Sequence, residues 1–289
     1  MLKRLLSLVC GICLLWSIAG CARKNGQGGL QSTESLPAEK SVREGIRTVL
    51  AVSLKAFEPN ESGGFRNESQ ADMLMLMVID EGRRQTTAVQ INPDTMVSFS
   101  PSGTTEARQI PLGEVYSYGS GGSDSCLQQL KAVSKLLDGV KIDHYMIFSQ
   151  GAIGVVSDEM GGITVTMSED FGKAHPEFTP GEQVRLTGGQ TDAFFAFRAP
   201  EDASNQLHMA RQQQFMTALY LPLMEKIRQQ EDFLPKLTMK LGDQLSTDLT
   251  LSQMVQLMET MESCKLDKTI TVLPEDPEEM APLLEKLFY

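Results

Sequence analysis

This sequence has one tryptophan, few tyrosines and histidines, and fewer basic than acidic side chains. Trp16 lies in the first apolar run, and only five Tyr are spread over the 289 residues. That leaves few rings on which nucleobases or sugars could stack. Three scattered His exclude a histidine-built metal site. With 26 Lys and Arg against 37 Asp and Glu, the formal charge is −11 at neutral pH. Nucleic acid is therefore excluded as a partner, because binding it needs basic groups to neutralise phosphates. Five Cys are too few for a disulfide scaffold. No GxSxG, GxxxxGK[ST] or HExxH motif occurs. The rest is ordinary. An apolar share of 41% and a charged share of 22% describe a folded chain, long enough for one large domain or two small ones.

The N-terminus has the layout of an export signal. Lys3 and Arg4 precede the apolar run 5–16, which is short for a membrane-spanning helix. Ser17-Ile18-Ala19-Gly20-Cys21 follows, and a small-residue pair directly before a cysteine resembles the lipobox of bacterial lipoproteins. The resemblance implies cleavage before Cys21 and lipidation of its thiol. Residues 1–20 then form a signal peptide, and the chain is held on the outer face of the cell membrane. The alternative is an uncleaved N-terminal anchor; both place the remainder outside the cytoplasm. Residues 21–44 are polar, contain Gly and Ser and lack an apolar period, and they read as a flexible tether. Cys126 and Cys264 remain beyond it, either paired or as free buried thiols.

From residue 45 onward the pattern alternates. Strands are expected at 47–54, 72–79, 86–91, 143–148, 163–167 and 269–273. Helices are expected at 126–137, 152–160, 188–198, 204–230, 251–261 and 280–288. Ser123-Asp124 is the expected cap of the first helix, with Leu127, Leu130, Val133, Leu136 and Leu137 on its inner face. Thr250 or Ser252 would cap the helix at 251–261, and Pro222 would kink or interrupt the one at 204–230. The order strand 143–148, helix 152–160, strand 163–167 points to a βαβ crossover. These signals together predict an α/β fold, a three-layer α/β/α sandwich around a central mixed β-sheet, spanning 45–289.

Acids and arginines at element ends are the chemically informative residues. Asp72 opens a strand, Asp94 follows another in INPDT, Arg198 ends a helix, and Arg211 and Gln212 sit on the next. Two carboxylates at a sheet edge are suited to Mg²⁺, and arginine forks to phosphate oxygens. Each residue alone reads equally as a solvated cap or a surface ion pair. Met73, Met75 and Met77 alternate on one strand, as a core row or as the wall of an apolar groove.

Five segments occur in a telling order: SQADMLM at 69–75, VQINPDTMV at 89–97, IDHY at 142–145, DEMGGITV at 158–165 and Arg211-Gln212-Gln213. Over about residues 46–230 the chain resembles the LytR-CpsA-Psr family of cell-envelope proteins. The resemblance implies an α/β/α sandwich with an apolar tunnel for a polyprenyl chain. At the tunnel mouth, arginines and a Mg²⁺ on aspartates would clasp the carrier's pyrophosphate. It also implies transfer of a phospho-glycopolymer from that carrier to peptidoglycan, which is phosphoryl transfer by positioning and charge neutralisation. Carried over by position, the metal acids are Asp72 and Asp94, the catalytic residues Asp94, Arg198 and Arg211, and the pyrophosphate ligands Arg198, Arg211 and Gln212. Four basic positions of the pattern are changed, to Gln70, Pro93, Ala196 and His208, and an expected aspartate is Asn205. The changes leave two outcomes open: a transferase with a rearranged phosphate site, filled in by bases such as Arg108 or Arg185, or a lipoprotein that binds without turnover. A third outcome is an unrelated envelope lipoprotein, in which case these residues would not converge.

Overall fold

The structure is a computed structural model and describes residues 41–56, 64–101, 106–167, 178–267 and 269–289. The signal 1–20, Cys21 and the tether up to residue 40 lie outside the described residues. Among the described residues no helix is long and apolar enough to cross a membrane.

The centre is a seven-stranded mixed sheet. β1 (Ile46–Ala56) and β2 (Ser69–Asp80) are long, apolar and antiparallel, and β3 (Gln85–Ile91) returns antiparallel to β2 across the turn at 81–84. Two-strand excursions follow: β4 (Met96–Phe99) pairs with β5 (Arg108–Pro111), and a 3₁₀ turn, Leu112–Tyr118, leads to α1 (Gly122–Leu136). β6 (His144–Phe148) then joins β1 in parallel.

Next come α2 (Ala152–Met160), β7 (Ile163–Thr166), β8 (Gln183–Leu186), α3 (Gly188–Ala196) and α4 (Gln206–Gln229). The chain finishes with α5 (Phe233–Leu241), β9 (Leu245–Thr247), α6 (Leu251–Ser263), β10 (Lys265–Leu266), β11 (Thr271–Val272) and α7 (Pro277–Phe288). β9 closes one edge beside β6, while β10 and β11 each run parallel to β3 at the other.

The strand period of two sorts side chains into two cores. Leu50, Val52, Leu54, Leu74, Leu76 and Val78 face the layer of α1 and α7, against Val133, Leu137, Leu284 and Phe288. Val49, Met73, Met75 and Ile79 face the layer of α2 to α6. The expected α/β/α sandwich with a mixed central sheet is therefore observed.

Several local expectations need correction. β7 does not enter the main sheet but forms a hairpin with β8, so there is no β6–α2–β7 crossover. An apolar run of strand length cannot by itself name its partner strand. Helix α1 starts at Gly122 without a side-chain cap, and Asp124 accepts the backbone N–H of Ser120 at 2.8 Å instead. Its buried stripe is Cys126, Gln129 and Val133, which leaves Leu127 52% exposed. Helix α5 is an element outside the expected set; its Pro235 lies in the first helical turn, where a missing N–H breaks no intrahelical bond.

Pro222 leaves α4 continuous, on an exposed side where water can serve the freed carbonyl. Thr250 is the cap of α6, in a reciprocal capping box with Gln253. Arg43, placed in the tether by sequence, is fixed instead. Its guanidinium donates to the carbonyls of Tyr289 (2.6 Å) and Leu287 (3.0 Å) at the end of α7 and to Asp80 (2.9 Å). Cys126 and Cys264 are free and buried.

Candidate functional site

The site begins with a break in strand pairing. Ser53 pairs with Met73 and Leu54 with Ala71, so Asp72 has no partner on β1. Such a bulge re-aims a side chain. Strict alternation from Met73 would turn Asp72 toward α1; the extra residue turns Ala71 that way and sends Asp72 under α4. There its carboxylate is 2% exposed. Lys55 at the end of β1 places Nζ 2.9 Å from Oδ1, and His208 Nε2 lies 3.3 Å from Oδ2. Gln212 Nε2 donates to Oδ2 (3.3 Å) and to the Asp72 carbonyl (3.2 Å). Burial pushes this carboxyl up, but the hydrogen bond and charge of His208 and the charge of Lys55 outweigh it and hold Asp72 below its ordinary value.

From His208 a chain of oriented amides leads to Asp94. Asn92 Nδ2 donates to Glu275 (2.8 Å), so its Oδ1 accepts from the Asp94 N–H (3.1 Å) and from Asn205 Nδ2 (3.1 Å). Asn205 Oδ1 then faces His208 Nδ1 at 3.0 Å, while Nε2 faces the Phe195 carbonyl at 2.8 Å. Nε2 also lies 3.0 Å from Gln212 Nε2, so the ring is held on both sides. The N-terminus of α4 is held by Asp202, which accepts the N–H groups of Leu207 (3.3 Å) and His208 (2.9 Å).

Asp94 stands at the end of β3 and is the exposed member. Arg198 Nη2 donates to its Oδ2 at 2.6 Å and to the Asp202 carbonyl at 3.1 Å. The loop lies close to β2 because residue 113 is glycine: its N–H bonds the Pro93 carbonyl at 2.7 Å, and a Cβ there would stand 2.6 Å from the Ala71 carbonyl. Glu114, next in line, has its carboxyl pushed up by burial and by Asp94. Arg211 is buried, donating to the Phe197 carbonyl with its guanidinium 5.5 Å from the Phe197 ring.

Asp72, Asp94, Arg198, Arg211 and Gln212 thus converge on one connected cluster. Of the substituted positions, His208 and Asn205 lie inside it, whereas Gln70 pairs opposite Lys55 on the sheet. Arg185 is not there; it donates to the Gly161 carbonyl beside the β7–β8 hairpin. Arg108 lies by Tyr118 and helps oppose the burial that raises its phenol. Sequence reading missed Lys55 and Glu114. The period-two step from Ala51 through Ser53 was the signal for Lys55.

Below the polar cluster the same walls turn apolar. On α4, His208 and Gln212 give way to Met216, Leu219, Leu223 and Ile227; on β2, Asp72 gives way to Met73, Met75 and Met77. The apolar ones, with Ala51, Met146 and Phe148, line a cavity of about 190 Å³ whose exposed lining is wholly apolar. A second, of about 250 Å³, shares Met75, Met77, Met216 and Leu219. The methionine row is thus both core and cavity wall. A third cavity, of about 790 Å³, opens beside Asp94 and is lined by Glu275, Asp276 and Glu279. Its charge repels anions.

The expected magnesium ion fits these residues poorly. Mg²⁺ sheds water reluctantly and needs room for several waters. Asp72 is buried and already faces an ammonium and an imidazole, and Asp94 is bonded to a guanidinium. Among the described residues no three His, Cys, Asp or Glu gather as a metal cage.

Fold and site together define an α/β/α protein with a polar, cation-bearing head region above an apolar internal wall. Residues 58–276 match the LytR_cpsA_psr family, and the chain belongs to that family. It is 25% identical over 158 residues to biofilm regulatory protein A of Streptococcus mutans serotype c (strain ATCC 700610 / UA159), covering 52% of this chain and 38% of that protein. The chain therefore spans well under half of that relative. Among solved structures, Bacillus subtilis TagV superposes with a TM-score of 0.64 at 18% identity, over 85% of this chain and 96% of that one. TagT bound to LIIa-WTA superposes with a TM-score of 0.63 at 17% identity, over 84% and 90%. At these identities the likeness shows the fold.

Proposed function

We propose that the chain handles a cell-wall phospho-glycopolymer carried on a polyprenyl pyrophosphate, for attachment to peptidoglycan, at the outer face of the membrane to which Cys21 anchors it. The observation that carries this reading is the continuous wall from Asp72 and Gln212 down to Met77 and Ile227. It suits a ligand with a charged head and an apolar chain. An apolar space of about 190 Å³ within the wall leaves hydrophobic surface in contact with water, which an apolar ligand would cover. Membership of the family and the wall-teichoic-acid ligand named for TagT support the same substrate class.

In this reading the chemistry is phosphoryl transfer, in which the protein positions and neutralises. Lys55 and Arg198 face the phosphates. Asp94, oriented by Arg198 and by the Asn92 side chain, accepts the proton of the acceptor hydroxyl as its oxygen attacks phosphorus. The polyprenyl monophosphate leaves with the electrons of the broken P–O bond. Arg211, bound to the Phe197 carbonyl, fixes the backbone that carries Arg198. A second reading, binding without efficient turnover, is favoured by the burial of Arg211 and the loss of four basic positions. Mass spectrometry of the full chain with a polyprenyl pyrophosphate-linked glycan separates the two. Release of the polyprenyl monophosphate supports transfer, intact bound lipid supports binding alone, and neither overturns both.

A further inference from the structure

We propose that Lys55 and Arg198 supply from the protein the positive charge that a divalent cation would bring, Lys55 on Asp72 and Arg198 on Asp94, so that the site takes a pyrophosphate head without a metal ion. The proposal rests on the ligand class inferred above and specifies how its head is held. Lys55 is suited to the task by position. It lies on the face of β1 that carries Ala51, whose side chain lines the apolar cavity, and it reaches the bulged Asp72 at 2.9 Å. Its ammonium has three donors. One points at Asp72, and the side chain keeps 35% of its surface exposed, so it can meet an anion from the open side.

Arg198 repeats the arrangement at Asp94, with 29% of its side chain exposed and Nε and Nη2 anchored on Asp202 and Asp94. The guanidinium is thereby fixed before a ligand arrives, and the two N–H groups of Nη1 are left to meet phosphate oxygens. Both carboxylates would otherwise repel the phosphates. Each already carries its counter-charge, and His208 Nε2 stands 3.3 Å from the second oxygen of Asp72. Gln70 stands across the β1–β2 ladder from Lys55, so the base at this place on the ladder comes from β1.

Two measurements on the full chain test this. The first is Mn²⁺ binding by electron paramagnetic resonance without lipid; the second is farnesyl pyrophosphate affinity in Mg²⁺ and in EDTA. For the unmodified protein, the Mn²⁺ signal should remain that of the free ion, and affinity should agree within about twofold in the two buffers. Lys55→Met should bind at least about tenfold more weakly in EDTA, the loss of one charge-assisted hydrogen bond. It should recover in Mg²⁺ and acquire Mn²⁺ binding, and Lys55→Arg should restore metal-free affinity.

The proposal is overturned if the unmodified protein binds Mn²⁺ at a site that Asp72→Asn removes. It is equally overturned if EDTA abolishes farnesyl pyrophosphate binding, or if Lys55→Met changes nothing. Should no pyrophosphate bind in any buffer, the functional reading fails by itself. The Mn²⁺ arm then decides alone: gain of Mn²⁺ binding in Lys55→Met upholds the built-in cation, and no gain refutes it.

Discussion

Asp72 is the residue on which most of the site depends, and its removal should be felt first as stability. Asp72→Asn leaves His208, 1% exposed, and Lys55 without their counter-charge. Breaking a buried pair from one side costs about 3–5 kcal/mol. Urea unfolding at neutral pH should therefore show a loss near 3 kcal/mol. The pH dependence has a definite sign. The folded carboxyl sits below its ordinary value, so its contribution is present at neutral pH and fades as pH falls from about 4 through the folded value. The variant should lack that acid limb, and an unchanged limb would remove Asp72 from the account.

Glu114 behaves oppositely. Its carboxyl is raised by burial and by Asp94, so the fold loses stability as pH rises from the ordinary carboxylate range through the raised value. Glu114→Gln should raise Tm at pH 7 and leave it unchanged near pH 4. Calorimetry at the two pH values checks this.

At the scale of elements, the bulge in β2 shows what a sequence can and cannot disclose. The long strands and most helices were legible because apolar period and cap chemistry are local: Thr250 announces α6, and the alternation of Met73, Met75 and Met77 announces a two-faced strand, whereas the short strands β4, β5, β8, β9 and β10 carry too few residues to show a period. The face of Asp72 was not legible. It depends on one unpaired residue opposite Ser53 and Leu54, and pairing is a property of two strands. The contribution of Lys55 was hidden for the same reason, and β7 was misassigned because its partner β8 lies 17 positions further on. Asp94 and Arg198, by contrast, were found by position, since each stands just past the end of an element that the apolar period delimits.

The loop that carries Asp94 makes the same point mechanically. Gly113 lets the 3₁₀ turn touch both the Ala71 carbonyl and Pro93. Gly113→Ala places a methyl group against backbone that cannot swing aside. It should cost about 1–3 kcal/mol in chemical unfolding and should weaken farnesyl pyrophosphate binding, because the loop with Asp94 has to shift. A Gly113→Ala protein with normal stability would mean that the contact is softer than its distance implies.

The molecule as a whole places its two cores differently around the sheet. Toward α1 and α7 the strands are sealed: Leu50, Leu74, Leu76 and Ile91 have no exposed surface. Toward α2 to α6 the packing is incomplete, so Ala51 in the middle of the central strand is only half-buried. A close-packed interior keeps few voids larger than a water molecule, so the looser side is the one on which the proposed ligand would sit. Filling that side should separate folding from binding. Ala51→Leu adds a side chain into the 190 Å³ cavity, from a strand that already favours apolar residues. The substitution should raise Tm by a few degrees, since cavity filling commonly yields 0.5–2 kcal/mol or so. The same leucine should occupy the path of an apolar chain. Farnesyl pyrophosphate affinity should then fall at least about tenfold, while affinity for inorganic pyrophosphate at Lys55 and Arg198 stays the same. If both affinities fall together, the head and tail sites are not separable and the wall does not divide as its residues indicate. If neither falls, the apolar cavity is not where the chain goes.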